Sequence, residues 1–250
     1  MKVNLNKILT KGKALYLAYD QGLEHGPVDF NDKSVDPTYI IDIARKGKYN
    51  GIIFQKGIAE KYNKEIKASK VPLIIKLNGK TSLVKGNPVS RQLCTVQEAI
   101  KLGASAVGYT IYIGSSYESE MFQEFENIQR EAHKKGLPVI AWIYPRGRDI
   151  KTYSRKLMAY AARTGLEIGA DIIKIKYNGK PNDLKWTIKA AGKTKVVVAG
   201  GTKKYKKTLL KQIDEIMDCG AIGLAIGRNI WQDREPLKIT NNIKERIWKR

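Results

Sequence analysis

The sequence predicts an α/β protein of the single-domain (β/α)8 barrel class, spanning residues 1–250. Short apolar runs rich in Val, Ile and Tyr alternate with segments of helical period, the pattern of βα units wound on a parallel sheet; eight such runs occur. No linker or break in composition argues for a second domain, and 250 residues with 42% hydrophobic content are enough to bury a large core.

In chain order the predicted strands are ALYLAYD (14–20), GIIFQ (51–55), PLIIKL (72–77), AVGYTIY (106–112), PVIAWIYPRG (138–147), DIIKIKY (171–177), VVVAGG (196–201) and GLAIGRN (223–229). The helices between them carry their own start and stop signals. TVQEAIKLGAS places Thr95 as N-cap with Glu98 three residues on, a capping box, and Gly103 as the stop. LEIGAD and MDCGAI repeat the pattern of a helix halted by Gly just before a strand.

Bulk properties exclude several classes. The N-terminal MKVNLNKILTKGK has no long apolar stretch, and nothing approaches the roughly 20 apolar residues needed to span a bilayer, so a soluble, cytoplasmic protein without a membrane partner is expected. Cys94 and Cys219 are far apart and in no CxxC spacing, which suggests neither a disulfide framework nor a thiolate metal site. The histidines, His25 and His133, are too few to hold a zinc ion by histidine ligation, and His133 in REAHKKG is expected to face solvent; no metal and no cofactor are predicted. A net charge of +22 makes nucleic acid, an anionic surface or a phosphorylated substrate worth weighing. The densest run, KKYKK at 203–207, opens a helix whose Leu209, Leu210, Ile213 and Ile216 recur at helical spacing, so its lysines read as a solvated face. No specific nucleic-acid partner is predicted.

The sixth strand raises the chemical question. By alternation Ile173 and Ile175 share one face while Ile172, Lys174 and Lys176 share the other. On an exposed edge strand this would be ordinary amphipathicity. In a barrel, one face is covered by helices and the other looks into the core, so both lysines face the barrel near the strand ends where such folds place their active sites. A lysine attacks a ketone only as the free amine, and burial plus a neighbouring cation lower its pKa. Lys174 is the candidate nucleophile. Lys176 reads equally well as its electrostatic tuner or as a phosphate ligand.

The fifth strand puts Trp142, Tyr144 and Arg146 on one face. Trp and Tyr at such spacing often serve packing, but an inward phenol can also move a proton, and Arg146 can hold a phosphate. After the first strand come Asp20, His25 and Asp29; a lone carboxylate there is often a helix cap, yet several polar groups converge on the same rim. AGGTK after strand seven and GLAIGRN after strand eight supply Gly200, Gly201 and Gly227 to loops that in this fold bind phosphate through backbone N–H groups, with Arg228 adding charge.

The stretches AYDQGLEHGP, KLNGKT, SAVGYTIY, YPRG, GADIIKIKY and IGRN, in this order over nearly the whole chain, resemble the archaeal-type class I fructose-1,6-bisphosphate aldolases. The resemblance implies a Schiff-base lysine at Lys174, a proton-donor tyrosine at Tyr144 and a substrate contact at Asp20, which is read as orienting a substrate hydroxyl or assisting proton transfer. It implies substrate contacts at Gln21, His25, Asp29, Trp142, Arg146, Lys176, Ala199, Gly200, Gly201, Gly227 and Arg228. Gln21 stands where some relatives carry histidine, and Ala199 where some carry serine; the second change removes a hydroxyl but leaves the backbone donors. The partner implied is a small phosphorylated sugar, and the assembly a ring-based homo-oligomer, a decamer being one such form. Two rivals remain: the lysine-dependent 2-amino-3,7-dideoxy-D-threo-hept-6-ulosonate synthase of the same superfamily, and a basic nucleic-acid-binding barrel without catalysis.

Overall fold

The computed structural model describes residues 3–249; of the expected domain and of the N-terminal stretch, Met1, Lys2 and Arg250 lie outside the described residues. Eight parallel strands close into a barrel: β1 (Ala14–Ala18), β2 (Gly51–Gln55), β3 (Leu73–Lys76), β4 (Ala104–Ile113), β5 (Val139–Pro145), β6 (Ile172–Ile175), β7 (Lys195–Ala199) and β8 (Gly223–Ile226). Each pairs with its sequence neighbours, and β1 closes the ring onto β8 in the register Ala14 to Gly223 through Leu17 to Ile226.

Strand alternation sorts the core into two. Leu15, Leu17, Phe54, Ile75, Val107, Ile173 and Ile175 point outward under the helices. Ala14, Tyr16, Ala18, Ile53, Ile74, Ile140, Trp142, Ile172, Val197 and Ala225 fill the barrel, with Ile8 from the N-terminal segment plugging its lower end. Small and large residues alternate inside, and the tightest fit is at Gly108 on β4: a Cβ there would stand 1.6 Å from the Trp142 ring. The missing side chain is what lets the indole lie across the barrel.

The helices begin and end for the reasons their sequences carry. Thr95 Oγ1 accepts from the Glu98 N–H while Glu98 Oε2 accepts from the Thr95 N–H, so two otherwise orphaned donors are satisfied at the start of Val96–Lys101. Gly103, Gly169 and Gly220 take left-handed backbone after their helices. Lys206–Asp218 buries Leu209, Ile213 and Ile216 with Leu210 at its margin, and residues 203–207 are exposed.

Two expectations need correction. The sixth strand stops at Ile175, so Lys176 and Tyr177 lie beyond it. His133 does not simply face solvent: it is half-buried, with Nε2 2.9 Å from Asp171 Oδ2 and Nδ1 3.1 Å from Gln129 Nε2. Asp171 also accepts from the Val139 N–H at the start of β5, so this pair ties the long helix Glu118–Lys134 to two strand entrances.

Gly108→Ala is expected to destabilise the protein by about 1–3 kcal/mol, the usual cost of overpacking a close-packed core, and Trp142→Phe in the same chain is expected to recover part of it. Thermal unfolding of the single and double variants measures this; equal midpoints for wild type and Gly108→Ala would show that the indole can move aside freely.

Candidate active site

The chemistry-bearing side chains gather at the C-terminal ends of the strands. One cleft there is lined by Asp20, Gln21, Glu24 and His25 from the segment after β1, Lys76 from β3, Trp142 and Tyr144 from β5 with Arg146 just past it, Lys174 from β6 with Lys176 just past it, Ala199 at the end of β7, and Gly200, Gly201, Gly227 and Arg228 from the last two loops. Asp29 joins from the rim, its Oδ2 2.7 Å from His25 Nδ1 and its Oδ1 3.2 Å from Arg228. The candidate catalytic and substrate-binding residues named from the sequence therefore gather at this one mouth.

At the floor, Asp20 is 6% exposed, Lys76 5% and Lys174 6%. Lys76 Nζ is 3.6 Å from Asp20 Oδ2 and Lys174 Nζ is 4.0 Å from Asp20 Oδ1. Lys174 also stands 5.1 Å above the Trp142 ring centroid. Burial would raise the Asp20 carboxyl, but the two ammonium groups, Lys174 and then Lys76, hold it below the ordinary carboxylate value. Burial lowers the Lys174 amine; Asp20 opposes that, and Lys76 adds to it by like-charge repulsion. A deep, dry lysine with a depressed pKa is the form of that side chain that can act as a nucleophile.

The cation beside Lys174 is thus Lys76 and not Lys176, which corrects the reading of strand six. Because β6 ends at Ile175, Lys176 lies at the mouth, with its amine 5.4 Å over the Tyr144 ring and exposed to solvent. Partial desolvation lowers its pKa, helped by Arg146 and Arg228 against Glu24; solvent at the mouth weakens these effects. Among its two readings, this position favours the phosphate ligand.

Tyr144 packs between the inner and outer cores. Burial of its phenol, then the negative charge of Asp20, push its pKa well above the usual value, so it stays protonated at neutral pH and can donate. Arg146, just past β5, donates to Glu24 Oε1 at 2.7 Å and stacks over Tyr112 at 5.0 Å. Burial would raise Glu24, yet the Arg146 hydrogen bond and Lys76 hold it low.

The rim is stitched together by side chains. Asn229, 2% exposed, donates to the carbonyls of Gly200 (3.0 Å) and Thr202 (2.9 Å) and accepts from the Lys204 N–H at 2.8 Å. Gly200 N–H is spent on the Ala225 carbonyl, and Gly227 sits where a Cβ would meet the Ala18 carbonyl at 2.4 Å. On the other side Tyr19 stacks on Phe30, Trp231 packs edge-on to Tyr19 and tilted against Phe30, and Gln232 donates to the Asp29 carbonyl, fixing the segment that carries His25 and Asp29. Buried Gln21 Nε2 has no hydrogen-bond partner, and since Gln21 lines the cleft this amide is a ready donor for a ligand.

Sequence reasoning missed Lys76, Glu24 and Asn229. Lys76 carried the same signal as Lys174, a lysine inside an otherwise apolar strand (PLIIKL), and was passed over. Glu24 sits in the single-turn helix Gly22–His25, where nothing in the sequence marks an acid as special, and Asn229 acts through a contact 29 residues back in the chain. Among the described residues no group of three or more His, Cys, Asp or Glu is placed to hold a metal ion.

Residues 14–233 match the model of the DeoC/LacD family aldolases. The class 1 fructose-bisphosphate aldolase of Thermoproteus tenax is 49% identical over 95% of this chain and 90% of its own length. A solved archaeal fructose-1,6-bisphosphate aldolase, with its catalytic lysine covalently bound to a carbinolamine intermediate, superposes with a TM-score of 0.92 at 47% identity, covering 97% of each chain. The 2-amino-3,7-dideoxy-D-threo-hept-6-ulosonate synthase of Halobacterium salinarum is more distant, 29% identical over 96% of this chain and 88% of its own. With the buried lysine, the inward tyrosine and the glycine-rich rim all on one barrel mouth, the chain belongs to the DeoC/LacD family of aldolases, and within it to the archaeal-type class I fructose-1,6-bisphosphate aldolases.

Proposed function

We propose that the protein cleaves fructose 1,6-bisphosphate reversibly to dihydroxyacetone phosphate and glyceraldehyde 3-phosphate through a Schiff base on Lys174. The observation that carries this is the pairing of a buried, pKa-depressed Lys174 with an inward, protonated Tyr144 beneath a rim of cations. The free amine adds to the ketone carbon, water leaves, and the resulting iminium accepts the electrons of the breaking carbon–carbon bond. The C4 hydroxyl gives up its proton to the medium as glyceraldehyde 3-phosphate departs, Tyr144 protonates the enamine carbon and is reprotonated from the medium, and hydrolysis frees dihydroxyacetone phosphate and Lys174. Asp20, 4.0 Å from the amine, offers negative charge to the cationic iminium.

The phosphates take the two ends of the cleft. The loops bearing Gly200, Gly201 and Gly227, with Arg228, suit one; Arg146, Lys176 and the first loop suit the other polar end. In the free enzyme Asp29 and Glu24 partner Arg228 and Arg146, which keeps both guanidinium groups aimed until substrate competes for them. The whole chain, 1–250, acts as one catalytic domain, in the cytoplasm and in glycolysis or gluconeogenesis, as a ring-based homo-oligomer in line with its resemblance. No helix among the described residues is long and apolar enough to cross a membrane. The nucleic-acid reading rests on the net charge of +22 alone, whereas the buried groups at the barrel mouth have no use in binding a polyanion at the surface.

Borohydride with dihydroxyacetone phosphate is expected to label Lys174, and Lys174→Met to abolish both label and cleavage. Tyr144→Phe is expected to keep the label but lose about 10²–10⁴-fold in cleavage rate, the usual contribution of a positioned proton donor. A label mapped to Lys176, or full activity in Lys174→Met, would sink the assignment. Arg228→Ala should raise KM for the bisphosphate by more than it lowers kcat, because a phosphate remote from the reacting carbon is bound about equally in ground and transition states; steady-state kinetics showing the reverse split would move Arg228 to the chemistry. EDTA is expected to leave turnover unchanged, and a loss restored by zinc would contradict the Schiff-base route.

A further inference from the structure

We propose that Lys76 is the positioning residue that keeps Lys174 nucleophilic, by holding the Asp20 carboxylate on its far oxygen so that Asp20 cannot close on the Lys174 amine as a tight ion pair. The proposal rests on the Schiff-base reading. It adds a residue from a different strand, acting through Asp20 and not through substrate.

The geometry carries the argument. Asp20 divides its oxygens between two lysines, Oδ2 to Lys76 at 3.6 Å and Oδ1 to Lys174 at 4.0 Å. Neither contact is a closed ion pair, for which charge-assisted distances run near 2.7–2.9 Å. All three side chains are buried at the bottom of the cleft, so water screens the charges only weakly. With Lys76 and Asp20 both ionised, the floor is neutral when Lys174 is the free amine and carries one excess positive charge when it is the ammonium. Remove the Lys76 charge and the balance inverts: Asp20 then needs the Lys174 ammonium as its sole buried counterion.

The other groups do not offset this. The titratable groups acting on the Lys174 amine are Asp20, Lys76 and Glu24, while Tyr144 on β5 stays protonated. From β7 and β8 the cleft is lined at this level by Ala199 and Ala225, which carry no charge. Glu24 is itself engaged by Arg146. Among the described residues Lys76 is therefore the cation that acts on Lys174 against the two carboxylates, and it acts in the direction that frees the amine.

The step concerned is carbinolamine and iminium formation. The lone pair of neutral Nζ forms the C–N bond, the carbonyl oxygen gains two protons, one from the amine and one from the medium, and leaves as water. An ammonium cannot begin this step, so its rate follows the free-amine fraction of Lys174.

The test compares Lys76→Met, Lys76→Gln and Lys76→Arg, all first checked for native circular dichroism. Lys76→Gln serves if Lys76→Met does not fold. The pH profiles of borohydride labelling and of kcat/KM are measured, together with a ¹⁵N-lysine NMR titration of the Lys174 amine assigned with Lys174→Met. The neutral variants are expected to lose about tenfold or more in kcat/KM at neutral pH, as for a like charge removed from within a few ångströms. Labelling and activity should recover as pH rises, with the NMR titration displaced upward, and Lys76→Arg should stay near the wild-type profile. A loss that is equal at every pH, with the Lys174 titration unmoved, would overturn the proposal and leave Lys76 a packing or substrate-contacting residue. Absence of label at Lys174 in the wild type would instead defeat the Schiff-base reading, and the NMR titration, which needs no substrate, would still decide the part played by Lys76.

Discussion

Two buried ammonium groups share one buried carboxylate at the mouth of this barrel, and much of the structure exists to tolerate that imbalance. Taking a charge out of water costs several kcal/mol even after relaxation. With Lys76, Asp20 and Lys174 all within a tenth of full burial, the surplus positive charge is relieved either by deprotonating Lys174 or by admitting an anion. Both outcomes serve the reaction. The first makes the nucleophile; the second favours a phosphorylated ligand over a neutral sugar.

Such an arrangement survives only on a scaffold that cannot relax around it. The closed ring of parallel strands has no edge to open, and Trp142, seated in the space left by Gly108, forms a solid floor under Lys174. A softer floor would let water or Asp20 follow the amine inward. Above it the cations at the mouth, Arg146 and Arg228, are each matched with a carboxylate. The two guanidinium groups are thus compensated pairwise, whereas two buried lysines at the floor share a single carboxylate.

How much of this the sequence revealed depends on the range of the interaction. Strand alternation is local, so the inward placement of Ile172, Lys174, Trp142 and Tyr144 was readable directly. The capping box at Thr95 and Glu98 was equally legible, because its partners are three residues apart. Strand ends were less so: KIKY continues the alternation past Ile175, but the ladder does not, and the lysine taken for a neighbour of Lys174 proved to be a rim residue. Across-barrel relations were invisible. Nothing in PLIIKL says that Lys76 meets Asp20 from a strand 56 residues away, and only closure of the ring brings them together. The pairs Arg146 with Glu24 and Arg228 with Asp29 were hidden for the same reason.

Asn229 has a consequence for which ketoses can react. One buried carboxamide grips the backbone on both sides of Gly201, at Gly200 and Thr202, and belongs itself to the turn that follows β8. The two glycine-rich loops are therefore one rigid jaw, and its separation from Lys174, on the strand next to β7, is set by the barrel and not by loop motion. With a phosphate seated on this jaw, as proposed, the site works as a gauge: it measures the number of bonds between a phosphate and a carbonyl carbon. A sugar phosphate with one carbon more or fewer in that span would present its carbonyl above or below the amine, whatever the strength of its phosphate contacts.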